Sequence, residues 1–334
     1  MPVPSPDSRP GESLPTDDSI FGGGGSGNLA TEITEIADGD VQVLEGLAVL
    51  DPDQIAPDDV VKKRLGWVFW VAVAWFILVA VLAILAPWLP IDDYKATSAQ
   101  IRQPPSPDHW FGTDTLGRDI FSRVIWGARV SLTVGFASVA FGLLIGGTIG
   151  VIAGFFKGKT ESVLMWAMDV LLAFPALLLA LAIVAFMGAS GRDLRNVVLA
   201  IGIVAIPPIA RLVRAATLVH SQREYVTASR ALGAGNSRII WKEVMPNVLL
   251  PVISFAIIGV AVAIVAEGGL AFLGLSVEPP TPTWGGMIND GRQALQQEPY
   301  ISLIPCAVMF LTVLALNLAG DRVREYLDVK EIGL

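Results

Sequence analysis

Cysteine and histidine are scarce in this 334-residue chain, which contains one cysteine, Cys306, and two histidines, His109 and His220. A single cysteine excludes an internal disulfide framework, and two histidines far apart in the chain do not suggest a metal cluster, so we expect no metal site. Charged residues make up only 16% of the chain, whereas 53% of residues are hydrophobic and the mean hydropathy is +0.60. A soluble core of this length does not need so much apolar material. The composition therefore predicts a polytopic membrane protein, and nucleic acid is not an expected partner.

The chain also lacks a recognisable nucleotide-binding loop. The glycines at 22–27 follow no predicted strand and precede no Lys-Ser or Lys-Thr pair. In residues 154–160, three residues separate the two glycines where a phosphate-binding loop has four, and the segment joins two apolar runs. We therefore expect this chain to bind no ATP and no other cofactor.

Charge is distributed unevenly along the chain. Residues 1–60 contain 13 acidic residues and one basic residue, a net charge of −12, whereas residues 61–334 have a net charge of +4. The acidic segment has neither the basic start nor the apolar stretch of a signal peptide. Its composition predicts a disordered cytoplasmic tail.

Six apolar runs follow the tail, and each is long enough to cross the hydrocarbon core as a helix of about 20 residues. They lie at 66–89, 130–156, 163–188, 197–219, 248–277 and 301–320. The predicted fold is all-α, with six transmembrane helices. We divide it into the tail (1–60), a first helix with an extracytoplasmic cap loop (61–129), and a five-helix core (130–334) that includes a cytoplasmic loop at 221–247, for which a resemblance described below implies a coupling role.

Basic residues support this topology. With the tail inside, the inner connections carry 14 lysines and arginines and the outer connections carry 8. Because cytoplasmic loops are enriched in these residues, both termini are predicted to be cytoplasmic.

The second predicted span has glycine at every fourth position, namely Gly142, Gly146, Gly150 and Gly154. This spacing places all four on one helical face, where another helix can approach closely. A mobile contact beside a transport pathway is possible, but static packing is the preferred interpretation.

Two acidic residues fall inside predicted spans. Asp169 lies in the third span ahead of Pro175, which should kink that helix, and Glu267 lies in the fifth. Intramembrane acids are candidates for a transport pathway, although a structural ion pair or a helix cap carries equal weight. Arg211 and Arg214, at the inner end of the fourth span, are expected to extend to the membrane interface and receive no special role.

The longest polar interval in the second half of the chain is 224–247. It has helical spacing from Glu224 to Leu232, breaks at 233–236, and resumes from Ser237 to Pro246. Two short helices around a tight corner are predicted. Small residues on one face, with basic residues around the corner, suit insertion into a partner's groove, but composition alone fits an ordinary basic loop better.

This interval resembles the "EAA" coupling loop of ABC importer permeases. Residues 227–229 correspond to its E-A-A triplet, Gly233 to its glycine, and residues 243–246 to its closing turn. Thr227, Ser229 and Glu243 depart from the family pattern, and Glu224 is a candidate for the missing carboxylate. The resemblance implies that the residues that couple to an ATPase are Glu224, Tyr225, Ala228, Ser229, Arg230, Gly233 and Pro246.

Two further strings resemble the C-type subunit of the dipeptide/oligopeptide/nickel branch of these permeases. The first runs over 109–132 and the second over 267–292, and the whole resemblance covers about 65–334. The alternating charges of the first string predict a rigid, ion-paired extracytoplasmic cap. The cap residues are His109, Gly112, Asp114, Gly117, Arg118, Asp119, Trp284, Asp290 and Arg292, with His109 as a cap residue and not a ligand.

The resemblance implies a permease subunit that imports di- or oligopeptides across the plasma membrane and is not itself an enzyme. Its implied partners are a second homologous permease, two ATP-binding subunits that carry ATP and Mg²⁺, an extracytoplasmic substrate-binding protein, and membrane lipid. Two alternatives remain open: nickel as the substrate, and an autonomous channel or ion-coupled carrier that uses Asp169 and Glu267.

Overall fold

A computed structural model of the chain describes residues 66–187 and 193–332, with side chains described up to residue 325. The predicted tail, residues 1–60, lies outside the described residues. Within the described part, regular structure is helical, and the one isolated β-bridge joins Thr113 to Asp119.

The helices are α1 (Trp67–Leu85), α2 (Ile120–Phe156), α3 (Gly158–Leu172), α4 (Ala176–Phe186), α5 (Leu194–His220), α6 (Glu224–Ala231), α7 (Asn236–Ile239), α8 (Met245–Phe272), α9 (Trp284–Asp290) and α10 (Tyr300–Ile332). A π-helical segment, Ile240–Val244, joins α7 to α8, and a short 3₁₀ turn, Arg292–Ala294, follows α9.

Five continuous helical segments are long and apolar enough to cross a membrane, and a sixth crossing results if α3 and α4 form one span. The five are Trp67–Leu85, Ile120–Phe156, Leu194–His220, Asn236–Phe272 and Tyr300–Glu325. The described chain is therefore an all-α polytopic membrane protein, as its sequence predicts.

The third predicted span differs from expectation because it is broken and not merely kinked. α3 ends at Leu172 and α4 begins at Ala176, and the two helices are bent by 87°. Pro175 cannot donate a backbone hydrogen bond, and it adopts an extended ψ of 127° just before α4. The α3–α4 pair is thus a broken span or a re-entrant turn.

The second span begins at Ile120, ten residues before the predicted start at 130. Asp119 caps the helix: its carboxylate accepts a hydrogen bond from the backbone amide of Ser122 at 2.7 Å. The charged residues after Asp119, which the sequence places in a loop, therefore belong to α2. The fifth span likewise ends at Phe272 and not at 277.

The glycine face of α2 packs against α5. A Cβ atom on Gly146 would lie 2.6 Å from the carbonyl oxygen of Ile206, and one on Gly150 would lie 2.6 Å from that of Ala210. The two backbones are therefore in direct contact, as small-residue seams permit. α8 also packs against α2, where Gly135 lies next to Val260 and Ile264, and the main core, which includes Val134, contains residues of α2, α5 and α8.

Candidate coupling loop and cap

The loop between α1 and α2, residues 86–119, and the short helix α9 together form the cap. Asp114 is at its centre and is almost fully buried. One carboxylate oxygen accepts hydrogen bonds from the backbone amides of Leu116 and Arg118, at 2.8 and 2.9 Å, and the other accepts from Nε of Arg118 at 2.6 Å. This single carboxylate therefore fixes both the turn and the buried guanidinium beside it.

Asp290 connects this loop to α9. Its carboxylate lies 3.6 Å from the Arg118 guanidinium and 3.9 Å from that of Arg123. Arg123 also lies 3.5 Å from Asp114, so two buried arginines share two carboxylates. Burial raises the pKa of Asp290 above its ordinary value, although the two arginines oppose that rise.

Arg123 lies within the first string, 109–132, but is not among the predicted cap residues. Its guanidinium donates to the backbone oxygens of Tyr94, at 3.3 Å, and Pro280, at 3.4 Å. It thus joins three separate segments, the loop after α1, the start of α2 and the loop before α9. The alternating charge pattern around Asp119 is the only sequence signal that could have suggested this role.

Trp284 is fully buried at the start of α9. Its backbone amide donates to the hydroxyl of Ser131, and its indole Nε1 donates to the carbonyl of Val124, each at 3.1 Å. Next to it, Gly285 packs on Gly268 of α8 so closely that a Cβ atom would lie 2.5 Å from the Gly268 Cα. The start of α9 is therefore packed against both α2 and the end of α8.

The remaining predicted cap residues are two glycines in turns, a histidine paired with Asp119, and an arginine outside the buried ion network. Gly112 and Gly117 have φ angles of +78° and +76°, and an added Cβ would meet a backbone oxygen at 2.4 or 2.3 Å, so both positions require glycine. His109 lies 3.0 Å from Asp119 through Nδ1 and Oδ1. Arg292 is not part of the buried ion network, and its guanidinium lies 5.1 Å from the ring centre of Phe272.

The coupling loop, residues 221–247, lies at the other end of α2. Arg230 lies over the ring of Phe155, 5.5 Å from its centre, near the last residue of α2. Because α2 has 37 residues, with a rise of about 1.5 Å each, the coupling loop and the cap are about 55 Å apart along this helix.

α6 is held to the bundle by few residues and exposes the rest. Val226 is fully buried and packs with Ile239 and Val244, which anchor the returning segment. Of the predicted coupling residues, six are exposed and one, Ser229, is half-buried; the exposed ones are Glu224, Tyr225, Ala228, Arg230, Gly233 and Pro246. Gly233 has a φ of +85° in open space, so the turn, and not crowding, requires glycine there.

Leu232 belongs to the helical spacing of this interval but is not among the predicted coupling residues. It follows the last residue of α6 and is 88% exposed. It is therefore an accessible apolar side chain on a polar loop.

The predicted closing turn at Pro246 is absent. Residues 236–272 form one continuous helical path, and Pro246 lies in the first turn of α8 just after the π-helical segment. The amide of Met245 bonds to the carbonyl of Ile240, five residues earlier, and the side chain of Asn247 donates to the carbonyl of Glu243 at 2.7 Å. The wider π turn accommodates Pro246, and the Asn247 side chain satisfies the Glu243 carbonyl, so the proline does not break the helix.

Tyr225 connects the two arms of the coupling loop. Its hydroxyl lies 3.4 Å from Nδ1 of His220, at the end of α5, and 3.4 Å from the side-chain nitrogen of Asn247 in α8. α6 is therefore tied to both flanking helices.

The two intramembrane acids have different surroundings. Glu267 is fully buried, and it accepts a hydrogen bond from Ser276, with the hydroxyls of Thr283 and Ser131 as its other polar neighbours. Asp169 is half-exposed and lies 2.5 Å from Arg211 of α5. Arg214, one turn along, pairs with Glu161, so the two arginines that were expected only to reach the interface connect α5 to α3.

The comparisons with known proteins agree with this architecture. The sequence profile of the family described as "Binding-protein-dependent transport system inner membrane component" matches residues 146–331. The chain belongs to this family. It is accordingly a transport component of the plasma membrane and crosses that membrane several times.

Individual relatives cover most of this permease. It is 42% identical over 270 residues to the dipeptide transport system permease protein DppC of Alkalihalophilus pseudofirmus, covering 80% of this chain and 87% of the relative. It is 40% identical to the glutathione transport system permease protein GsiD of Pectobacterium atrosepticum over 269 residues, covering 78% and 87%, and 38% identical to GsiD of Shigella boydii over 305 residues, covering 86% and 96%.

The fold is also similar to that of a solved transporter. The inward-facing MetNI methionine ABC transporter matches with a TM-score of 0.52 at 22% identity, covering 62% of this chain and 97% of that chain. This likeness shows a shared helical arrangement.

Proposed function

We propose that this chain is the permease subunit of an ATP-driven importer for short peptides. The observation that carries the proposal is the coupling loop, an exposed short helix anchored on the bundle by three buried apolar side chains. Relatives of this chain are named for dipeptide and glutathione transport, which supports a peptide substrate.

The proposed assembly contains a second homologous permease, two ATP-binding subunits and an extracytoplasmic substrate-binding protein, with lipid around the apolar helices. ATP and Mg²⁺ bind to the ATP-binding subunits, which hydrolyse the ATP. The coupling loop and both termini face the cytoplasm, and the cap faces the opposite side of the membrane.

The coupling loop can pass movement into the bundle because it is continuous with α8. α7, the π-helical segment and α8 form a path from Asn236 to Phe272. At its far end, Gly268 contacts Gly285 of the cap. We infer that closure of the ATP-binding subunits moves α6 and shifts α8 as a rigid element, which opens the pathway.

Reconstitution tests the function. The complex that co-purifies with this chain is placed in liposomes, and uptake of a labelled dipeptide is compared with uptake of Ni²⁺, with and without ATP and the binding protein. We expect dipeptide uptake that requires both. Uptake by this chain alone without ATP would instead show an autonomous carrier, and ATP-dependent uptake of Ni²⁺ but not dipeptide would make nickel the substrate.

A pair of matched variants tests the coupling loop. Leu232→Asp should weaken co-purification of the ATP-binding subunits at least about 10-fold, because burying one leucine contributes about 1.5–3 kcal/mol. Leu116→Asp makes the same change at an exposed leucine of the cap and should leave co-purification unchanged. Normal co-purification and normal uptake in Leu232→Asp would remove Leu232 from the proposed contact.

A further inference from the structure

Three side chains that can bind a metal ion meet within the cap loop, residues 86–119. They are Asp92, His109 and Asp119, and one ligand atom from each lies within 4.8 Å of the others. The sequence does not reveal this cluster, because Asp92 lies 17 and 27 positions away from the other two residues.

One distance in the cluster is close to that between two ligands of one metal ion. With bonds of about 2.1 Å, two ligand atoms are about 3.0 Å apart at right angles and about 3.4 Å apart at the tetrahedral angle. Nδ1 of His109 and Oδ1 of Asp119 are 3.0 Å apart. A cation would therefore take the place of the proton that these two atoms share, with little movement of either side chain.

The adjoining cavity favours positive charge. It has a volume of about 450 Å³ and is lined by Asp92, Asp108 and Asp119, with no lysine or arginine among its lining residues. Its remaining lining residues are aromatic, aliphatic or proline. Three carboxylates beside apolar walls, without a basic partner in the wall, attract a cation strongly.

The cluster is also held in place by its surroundings. The second oxygen of Asp119 accepts from the Ser122 amide, and the hydroxyl of Ser122 donates to the backbone oxygen of Asp92 at 2.6 Å. Ser122 thus fixes two ligand-bearing residues from one position, as residues behind metal ligands commonly do. Among the residues that the structure describes, none forms a hydrogen bond or ion pair with the carboxylate of Asp92, so its oxygens are available to a metal ion.

We propose that Asp92, His109 and Asp119 form a site for a divalent first-row transition-metal cation such as Zn²⁺. One imidazole nitrogen and two carboxylate oxygens suit such an ion, and water from the cavity completes its coordination. The bound cation cross-links the start, the middle and the end of the cap loop, residues 86–119.

The test measures Zn²⁺ binding to the intact importer complex, purified with a tag that contains no histidine and treated with a chelator. The wild-type complex is expected to bind one more Zn²⁺ per copy of this chain than the Asp92→Asn variant, or to bind it at least about 10-fold more tightly. Asp108→Asn is the matched control, because it removes the same charge from the same cavity without removing a ligand, and it should weaken binding much less than Asp92→Asn does. Ca²⁺, which prefers an all-oxygen site, should compete poorly.

A second measurement does not depend on counting bound metal. Zn²⁺ should raise the melting temperature of the wild-type and Asp108→Asn complexes but not that of Asp92→Asn or His109→Gln, because a ligand stabilises only the folded form that binds it. Equal Zn²⁺ binding by wild type and Asp92→Asn would overturn the proposal. So would equal weakening by Asp92→Asn and Asp108→Asn, which would show attraction by charge and not coordination.

Discussion

The indole nitrogen of Trp284 lies 3.1 Å from the carbonyl oxygen of Val124 and donates a hydrogen bond to it, although the two residues are 160 positions apart. The backbone amide of Trp284 also donates to the hydroxyl of Ser131, which lies about two turns further along α2. The two strings that resemble a peptide-permease signature therefore form one structural unit. Although they are far apart in sequence, the start of α9 and the first part of α2 pack together at Trp284; we call this contact the α2–α9 joint.

Replacing Trp284 should open this joint. Trp284→Ala removes a fully buried side chain and its hydrogen bond, and it should destabilise the chain by about 3–5 kcal/mol. Trp88→Ala, at a side chain that is 75% exposed, is the control and should have little effect. Thermal unfolding of the purified importer measures both. Similar melting temperatures for the two variants would show that the joint contributes little.

The sequence predicts which charged residues of the cap pair locally, but it does not predict how the cap packs on distant segments. Asp114 and Arg118 are four residues apart in a Gly-rich string, and they do form an ion pair. The bonds from Arg123 to Tyr94 and Pro280 could not be predicted, because they depend on where α2 begins and on how a distant loop folds back. Capping by Asp119 was the available signal for that helix start.

The two carboxylates of the cap network should respond differently to substitution. Asp114→Asn leaves two buried guanidinium groups with one counter-charge, which should destabilise the chain by about 3–5 kcal/mol. Asp290→Asn should cost less, because Asp290 is partly exposed and its burial already disfavours the charged form. Unfolding of the two variants at neutral pH tests this order, and a greater loss in Asp290→Asn would contradict it.

The raised pKa of Asp290 also predicts the sign of a pH effect. A carboxyl group whose folded pKa lies above its ordinary value of 3.8 stabilises the fold least once it is ionised. Wild-type stability relative to Asp290→Asn should therefore fall as the pH rises from below 3.8 through the raised pKa. Melting curves of both proteins across this interval check the sign, and a difference that moves the other way would show that the two arginines outweigh burial.

Two glycines of α2 provide a matched test of the seam with α5. A Cβ atom at Gly150 would lie 2.6 Å from the Ala210 carbonyl and 3.0 Å from the Arg214 amide, and backbone atoms cannot rotate away. Gly150→Ala should therefore destabilise the chain by about 1–3 kcal/mol. Gly147→Ala meets nothing within 4 Å and should be neutral or slightly stabilising. Equal effects on the melting temperature would mean that the seam adjusts without cost.

The membrane-spanning pattern was easier to predict than its interruptions. Long apolar runs identify the spans by length alone, whereas the 87° break before Ala176 and the π turn before Pro246 depend on which neighbouring groups satisfy the freed backbone. Proline marks both sites in the sequence. Only packing decides that Pro175 ends a helix while Pro246 sits inside one.

The pair formed by Asp169 and Arg211 separates two roles that the sequence left open. The side chains lie beside a cavity of about 640 Å³ that also contains the Glu161–Arg214 pair, so Asp169 either connects α3 to α5 or contacts substrate.

A charge exchange tells these roles apart. Asp169→Arg and Arg211→Asp should each impair ATP-dependent peptide uptake, because each places two like charges side by side. The double variant restores opposite charges, so uptake should recover to within about 2–3-fold of wild type if the pair acts as a link; an exposed pair couples by only about 0.2–1 kcal/mol. No recovery, together with normal assembly of the complex, would indicate that Asp169 or Arg211 acts on the substrate directly, since a charge would then be needed at its own position and not merely opposite a partner.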